Sequence, residues 1–171
     1  MVPKIIEDIR NTPALSQFLV DECCEEGANL ILSDSIDRDR YEMIKVDAYY
    51  NSLNTEIPKS VDCLIVHVCP LFSRILHLIE LKSYSTSGHL SIDDIIKKFR
   101  ATIDDFIENR FYEPIGKYNY HRMNPVFISK LKRRDKSQKL ALLMAKKNRI
   151  HFRGTNYTIQ VKPNGFEIVD C

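Results

Sequence analysis

The strongest periodic signal in the chain is Ile92, Ile95, Ile96, Phe99, Ile103, Phe106 and Ile107, spaced three and four residues apart. That spacing predicts a helix over residues 92–109 with one apolar face. Ser91 stands before it as an N-cap, with Asp94 three residues on in a near match to a capping box. Lys97, Arg100 and Asp104 fall on the opposite face. Two runs upstream have a different character. Residues 61–68 and 74–81 are rich in β-branched side chains and flank the turn-like Cys69-Pro-Leu-Phe-Ser73, which predicts two neighbouring buried strands running antiparallel. The small polar residues 83–88 read as a loop.

Elsewhere the pattern is coarser. Leu15, Phe18, Leu19 and Cys23 recur at helical spacing from about Pro13, and Glu25-Glu26-Gly27 reads as the end of that helix with glycine as its cap. Residues 29–33 read as a short strand and 34–39 as its loop. Over residues 41–57, Ile44, Val46 and Ala48 alternate like a strand, whereas 48–53 fits either state. Past Pro114 and the aromatic loop at 118–121, residues 124–131 read as a strand. Leu140, Leu143 and Met144 mark a short amphipathic helix within 136–147. Residues 150–153 and 157–161 flank Gly154-Thr-Asn156 as a hairpin, and 166–169 is expected to close the sheet. With no repeat, low-complexity tract or linker, the chain of 171 residues is expected to form a single domain, residues 1–171.

Composition narrows the class. Apolar residues make up 44% and charged residues 28%, which excludes a disordered chain. No apolar run approaches the ~20 residues that span a bilayer. The opening MVPKIIEDIR carries acids where a signal peptide would be apolar, so a cytoplasmic location without a membrane partner is expected. The five cysteines, Cys23, Cys24, Cys63, Cys69 and Cys171, lack paired CxxC spacing, and free, mostly buried thiols are the expectation. The net charge of +2 hides a polarity: residues 110–171 hold 14 Lys and Arg against 4 Asp and Glu, while residues 1–109 are net acidic. A basic part of this kind suits an anionic partner such as nucleic acid, with a solvated basic surface as the alternative.

Candidate chemistry sits in His77-Leu-Ile-Glu-Leu-Lys-Ser-Tyr-Ser85. Side chains alternate across a strand, so Glu80 and Lys82 share a face, ~6.6 Å apart along the chain. Burying two ionisable groups in an apolar strand is unfavourable unless they pair or bind a metal. Asp62 begins the preceding strand, and an antiparallel hairpin brings that beginning level with Glu80 and Lys82. Two carboxylates at one edge of a sheet favour a hard cation such as Mg2+ (or Mn2+), which polarises phosphate and activates water.

Asp62 followed by Glu80-Leu81-Lys82, with a helix before, strands between and a helix after, resembles the PD-(D/E)XK nuclease superfamily over roughly residues 13–131. Val61 stands where the family's proline often precedes the aspartate. The resemblance implies an α/β fold: a restriction-endonuclease-like αβββαβ core, with a mixed central sheet flanked by helices and here an extra C-terminal β-hairpin. It implies that Asp62, Glu80 and the Leu81 carbonyl ligate the metal, that Lys82 assists the attacking water, and that the protein is a DNA-cleaving endonuclease, often a homodimer. Such folds often add a glutamate from the first helix. Glu22, Glu25 and Glu26 compete for that place, with Glu7 upstream, and Glu26 is chosen.

Lys97, Lys98 and Arg100 on the helix after the ExK strand, and Lys130, Lys132, Arg133 and Arg134 in the densest basic cluster, are the candidate phosphate contacts. His67 and His77, with Cys63 and Cys69 nearby, invite a zinc site, but their apolar alternation favours core residues. The runner-up function is a nucleic-acid-binding or protein-interaction module in which Asp62, Glu80 and Lys82 form only an ion-pair network. A nucleotide-binding protein is disfavoured, because five glycines form no phosphate-cradling loop.

Overall fold

In the computed structural model, residues 1–71, 73–83, 90–130 and 138–171 are described. Lys132, Arg133 and Arg134 of the basic cluster lie outside that set. A mixed five-stranded sheet forms the centre: β3 (Tyr41–Lys45), β4 (Cys63–Val68), β5 (Arg74–Lys82), β6 (Arg122–Ser129) and β9 (Gln160–Pro163), side by side in that order. The first three strands are antiparallel neighbours, with Cys63 opposite Ile79, and β6 and β9 continue parallel to β5. A parallel step needs a crossover. The crossover from β5 to β6 is the long helix predicted from the isoleucine spacing.

That helix is α4 (Ile92–Ala101), capped by the Ser91 hydroxyl, which accepts from the Asp94 N–H. Beyond Ala101 it widens into a π-helix, Thr102–Arg110. It packs on one face of the sheet with α1 (Lys4–Arg10) and α3 (Val46–Asn51), enclosing a core of Leu64, Val66, Leu76, Leu78, Phe99, Phe106 and Phe127. The ambiguous stretch 41–57 therefore divides, a strand to Lys45 and a helix from Val46.

The opposite face carries a second layer. There β1 (Cys23–Glu25) and β2 (Ala28–Leu32) pair antiparallel, and β10 (Phe166–Ile168) joins β2 in parallel. Cys23, Leu30 and Ile168 pack onto Ile65, Ile79, Leu81 and Val126 of the central sheet. Two expectations are corrected here. The helix from Pro13 is only α2 (Pro13–Ser16), and residues 23–32 form a hairpin, because Glu26 and Gly27 both take positive φ, 44° and 83°. A two-residue turn with both φ positive matches the twist of a hairpin, so the glycine serves a turn and not a helix end. Likewise residues 166–168 belong to the small sheet, while β9 closes the central one. The expected C-terminal hairpin is present with its second arm corrected: β7 (Ile150–Phe152) pairs with β8 (Thr155–Tyr157), turning at Arg153-Gly154, while Gln160 and Val161, expected in that arm, belong to β9 of the central sheet. Between β6 and that hairpin lies α5 (Gln138–Leu143).

The free-thiol expectation is also corrected. Cys23 is bonded to Cys63 and Cys69 to Cys171, across 40 and 102 residues of sequence, leaving Cys24 free and exposed. Stacking the small sheet on the large one brings each pair within bonding reach, with Cα separations of 6.3 and 5.6 Å, inside the range a disulfide requires. Such bonds are rare in the cytosol and persist in oxidising settings, so they weigh against the cytoplasmic location expected from sequence. No helix among the described residues is long and apolar enough to cross a membrane.

Candidate functional site

At the end of the hairpin β4–β5 the ladder gives way to side-chain contacts. Asp62 lies one residue beyond the Cys63–Ile79 pair, where the ladder ends. Its N–H donates to the Ile79 carbonyl and its own carbonyl accepts from Val46 N–H, so its backbone is pinned between β5 and the start of α3. Its carboxylate Oδ2 takes the Leu81 N–H at 2.5 Å. The N–H and C=O of one strand residue point to the same edge, so the Leu81 carbonyl also faces the Asp62 side.

Glu80 and Lys82 share a face, as their spacing predicted, and it is the face covered by α4. Glu80 is wholly buried. Its Oε1 accepts from Lys82 Nζ at 2.9 Å and from Lys98 Nζ of α4 at 2.8 Å. Its Oε2 is buried without a hydrogen-bond partner among the described residues. Glu42, equally buried at the other end of the sheet, offers a contrast: Arg10 and Arg38 both bind it, with contacts of 2.5 and 3.1 Å. That arrangement is a closed structural ion pair, whereas Glu80 leaves one oxygen open.

A third carboxyl arrives from the small sheet. Glu25 reaches the Asp62 side chain, and its Oε2 is likewise buried without a partner among the described residues. Burial, then the charge of Glu80 and then contact with Glu25 push the Asp62 acid up to about 8, against the opposing effect of the Leu81 N–H. Burial alone would lower the Lys82 ammonium, but Glu80 outweighs it, aided by Asp62 and Glu25, and holds Lys82 above its usual range. Three acids and two ammonium groups therefore gather around the end of β5. Glu80, Lys82 and Lys98 open into a cavity of about 240 Å³ bordered also by Lys59, Ser91 and Asp94.

Among the predicted site residues, Asp62, Glu80, Leu81 and Lys82 come together as expected. Glu26 does not. It sits exposed in the hairpin turn, where its carboxylate accepts from the Ser83 hydroxyl at 2.8 Å and its carbonyl from Lys130 Nζ at 3.3 Å. Glu25 takes its place because alternation along β1 turns Cys23 and Glu25 inward together. Seen as a strand, Cys23-Cys24-Glu25 would have named it. Of the helix cations, Lys98 turns inward to Glu80 while Lys97 and Arg100 stay exposed. Thr102, absent from the sequence reading, is buried at the α-to-π junction. Its hydroxyl accepts from Val61 N–H at 3.0 Å and donates to the Lys98 carbonyl at 2.8 Å, so it anchors both the residue before Asp62 and the turn that carries Lys98.

Against protein-family models, curated proteins and solved structures, the chain has no match.

Proposed function

We propose that this protein is a metal-dependent nuclease that hydrolyses phosphodiester bonds, in DNA by preference, at a centre made of Glu25, Asp62, Glu80 and Lys82. The observation that carries the reading is the pair of orphaned, buried carboxylate oxygens, on Glu25 and Glu80, beside an Asp62 acid driven up to about 8. Acids crowded in this way repel, and a divalent cation relieves the repulsion. The donor set is all oxygen, which suits Mg2+ or Mn2+, so the residues present fit such an ion. Glu25, Asp62 and Glu80 would hold it, with the Leu81 carbonyl on the same side. When bound, the ion supplies Lewis-acid polarisation of a phosphate oxygen and a more acidic water.

The chain's own residues do the rest. Lys82, held charged by Glu80, acts as a donor that orients water and stabilises negative charge, not as a base. Lys98 pairs with Glu80 Oε1 and fixes the orientation of its carboxylate. Lys59, paired with Asp94, borders the cavity together with Ser91, and Lys130 Nζ reaches the carbonyl of Glu26 in the nearby hairpin turn. The order helix, three antiparallel strands, helix, parallel strand supports a restriction-endonuclease-like core. A homodimer, one site for each strand of duplex DNA, rests on the family resemblance alone.

One observation favours the runner-up, an interaction module with a structural ion-pair network: Lys82 and Lys98 already neutralise Glu80. A nuclease assay with Mg2+ or Mn2+ on plasmid and oligonucleotide DNA separates the two. Cleavage by the wild type that is lost in Asp62→Ala, Glu80→Ala and Lys82→Ala supports the proposal. Cleavage unchanged in all three overturns the site, and its absence from the wild type leaves the ion-pair network.

A further inference from the structure

At the other end of β4 and β5, far along the strands from Glu80, a second cluster joins the two sheets. His67 of β4 stacks on His77 of β5, ring centroids 6.2 Å apart, and both are buried. The residues after β10 lie against them. His67 Nε2 is 3.4 Å from Asp170 Oδ1, and Cys171 Sγ is 3.8 Å from Nε2 and 3.9 Å from Nδ1 of the same ring. One ligand atom from each of His67, Asp170 and Cys171 falls within 4.8 Å of the others.

Those separations have the scale of a metal site. Two ligands bound tetrahedrally at the usual zinc distances of about 2.1 Å for N or O and about 2.3 Å for S sit roughly 3.4 to 3.7 Å apart. An independent observation points the same way. His77 Nε2 is buried without a hydrogen-bond partner among the described residues, and it lines, with His67 and Cys171, a cavity of about 220 Å³. The other ring nitrogen, Nδ1, is 3.3 Å from the Asn124 side-chain amide, so Nε2 is the position left to meet a water or ligand in the cavity. Arg40 already bonds Asp170 Oδ1. A carboxylate has two oxygens and about four lone pairs, so it can keep Arg40 and still ligate.

We infer that His67 Nε2, Asp170 and Cys171 Sγ form a redox-gated site for a borderline transition metal, with zinc as the fitting ion and one coordination position open to the cavity beside His77. In the structure Cys171 is joined to Cys69, and a disulfide sulfur is a poor ligand. A dithiol reductant opens the site: its two electrons and two protons cleave the Cys69–Cys171 bond to two thiols, and it leaves as its own disulfide. The Cys171 thiol then releases its proton as it ligates. One nitrogen, one thiolate and one carboxylate suit zinc and not magnesium, so this site differs in chemistry as well as place from the all-oxygen centre at Asp62.

Co2+ is the probe, because a thiolate ligand gives it a charge-transfer band in the near ultraviolet. The test protein is Cys24→Ser/Cys69→Ser, which frees the Cys171 thiol without a reductant and removes the other unpaired thiol; wild type reduced with a phosphine serves as the second sample should that variant fail to fold. One equivalent of Co2+ with the band, displaced by Zn2+, is expected, together with no band in oxidised wild type. Adding His67→Gln or Cys171→Ser should weaken binding by more than the roughly 10–100-fold that loss of an orienting partner produces, while Asp62→Asn should leave the band intact. A folded or reduced protein that binds no Co2+, binds it without the band, or keeps the band after His67→Gln overturns the proposal.

Discussion

The Lys98 ammonium lies 2.8 Å from Glu80 Oε1, tying helix α4 to the middle layer of the fold across a sequence gap of 18 residues. Lys82 shares the same oxygen. Replacing Lys98 with Met leaves Glu80 one cation poorer in a fully buried position, and stability is expected to fall by about 1–3 kcal/mol, read by urea denaturation. In the same variant Mn2+ affinity by calorimetry should rise severalfold, since a competing positive charge is gone, while DNA cleavage falls. A Mn2+ isotherm identical to wild type would contradict a metal beside Glu80.

The pH dependence follows from Asp62. Its acid stands at about 8 in the folded chain, above the ordinary carboxylate value of 3.8, so the folded state holds a proton that the unfolded chain releases. Stability from this group is full at acid pH and drains as pH rises to about 8. Burial lowers both His67 and His77 in the fold, which adds an opposite slope below the unfolded histidine value of about 6.5. Between about pH 7 and pH 8 the Asp62 slope should therefore stand nearly alone. Melting temperature is expected to decline across that window, to decline less in Asp62→Asn, and to flatten with added Mg2+, because a cation favours the ionised acid.

Thr102 offers a prediction that tests positioning without touching a charge. Thr102→Val keeps the volume but removes the acceptor for the buried Val61 N–H. An unpaired buried donor costs about 1–3 kcal/mol. At this chain length each kcal/mol lowers the melting temperature by roughly 2–4 °C. Since Val61 precedes Asp62, divalent-ion affinity should drop as well. Thr102→Ser retains the hydroxyl and should recover most of both.

The disulfides close loops of unequal length, 40 and 102 residues. Chain-entropy reasoning gives each about 4 kcal/mol, the longer loop ahead by less than about 1 kcal/mol. Cys69→Ser/Cys171→Ser should thus unfold at slightly lower denaturant than Cys23→Ser/Cys63→Ser, with both well below wild type. Zn2+ is expected to restore stability to reduced wild type and not to the Cys69→Ser/Cys171→Ser protein.

Local pattern determined a good deal of this protein by itself. The isoleucine spacing defined α4, the β-branched runs defined β4 and β5, and the short turn between them set the antiparallel pairing that brings Asp62 beside the end of β5. Period two placed Glu80 and Lys82 on one face. Each of these rests on interactions between residues close in sequence, or on one short hairpin. Tertiary structure alone decided the rest. Glu25 enters the site only because the β1–β2 hairpin stacks on the central sheet, and an acid followed by glycine is compatible with a helix end or a two-residue turn. The Cys23–Cys63 and Cys69–Cys171 pairs, and the meeting of His67 with Cys171, depend on how two sheets pack across 40 to 104 residues of chain. Such contacts leave no periodic trace, because layer stacking is fixed by the fit of whole apolar faces and not by the spacing of any one residue pair.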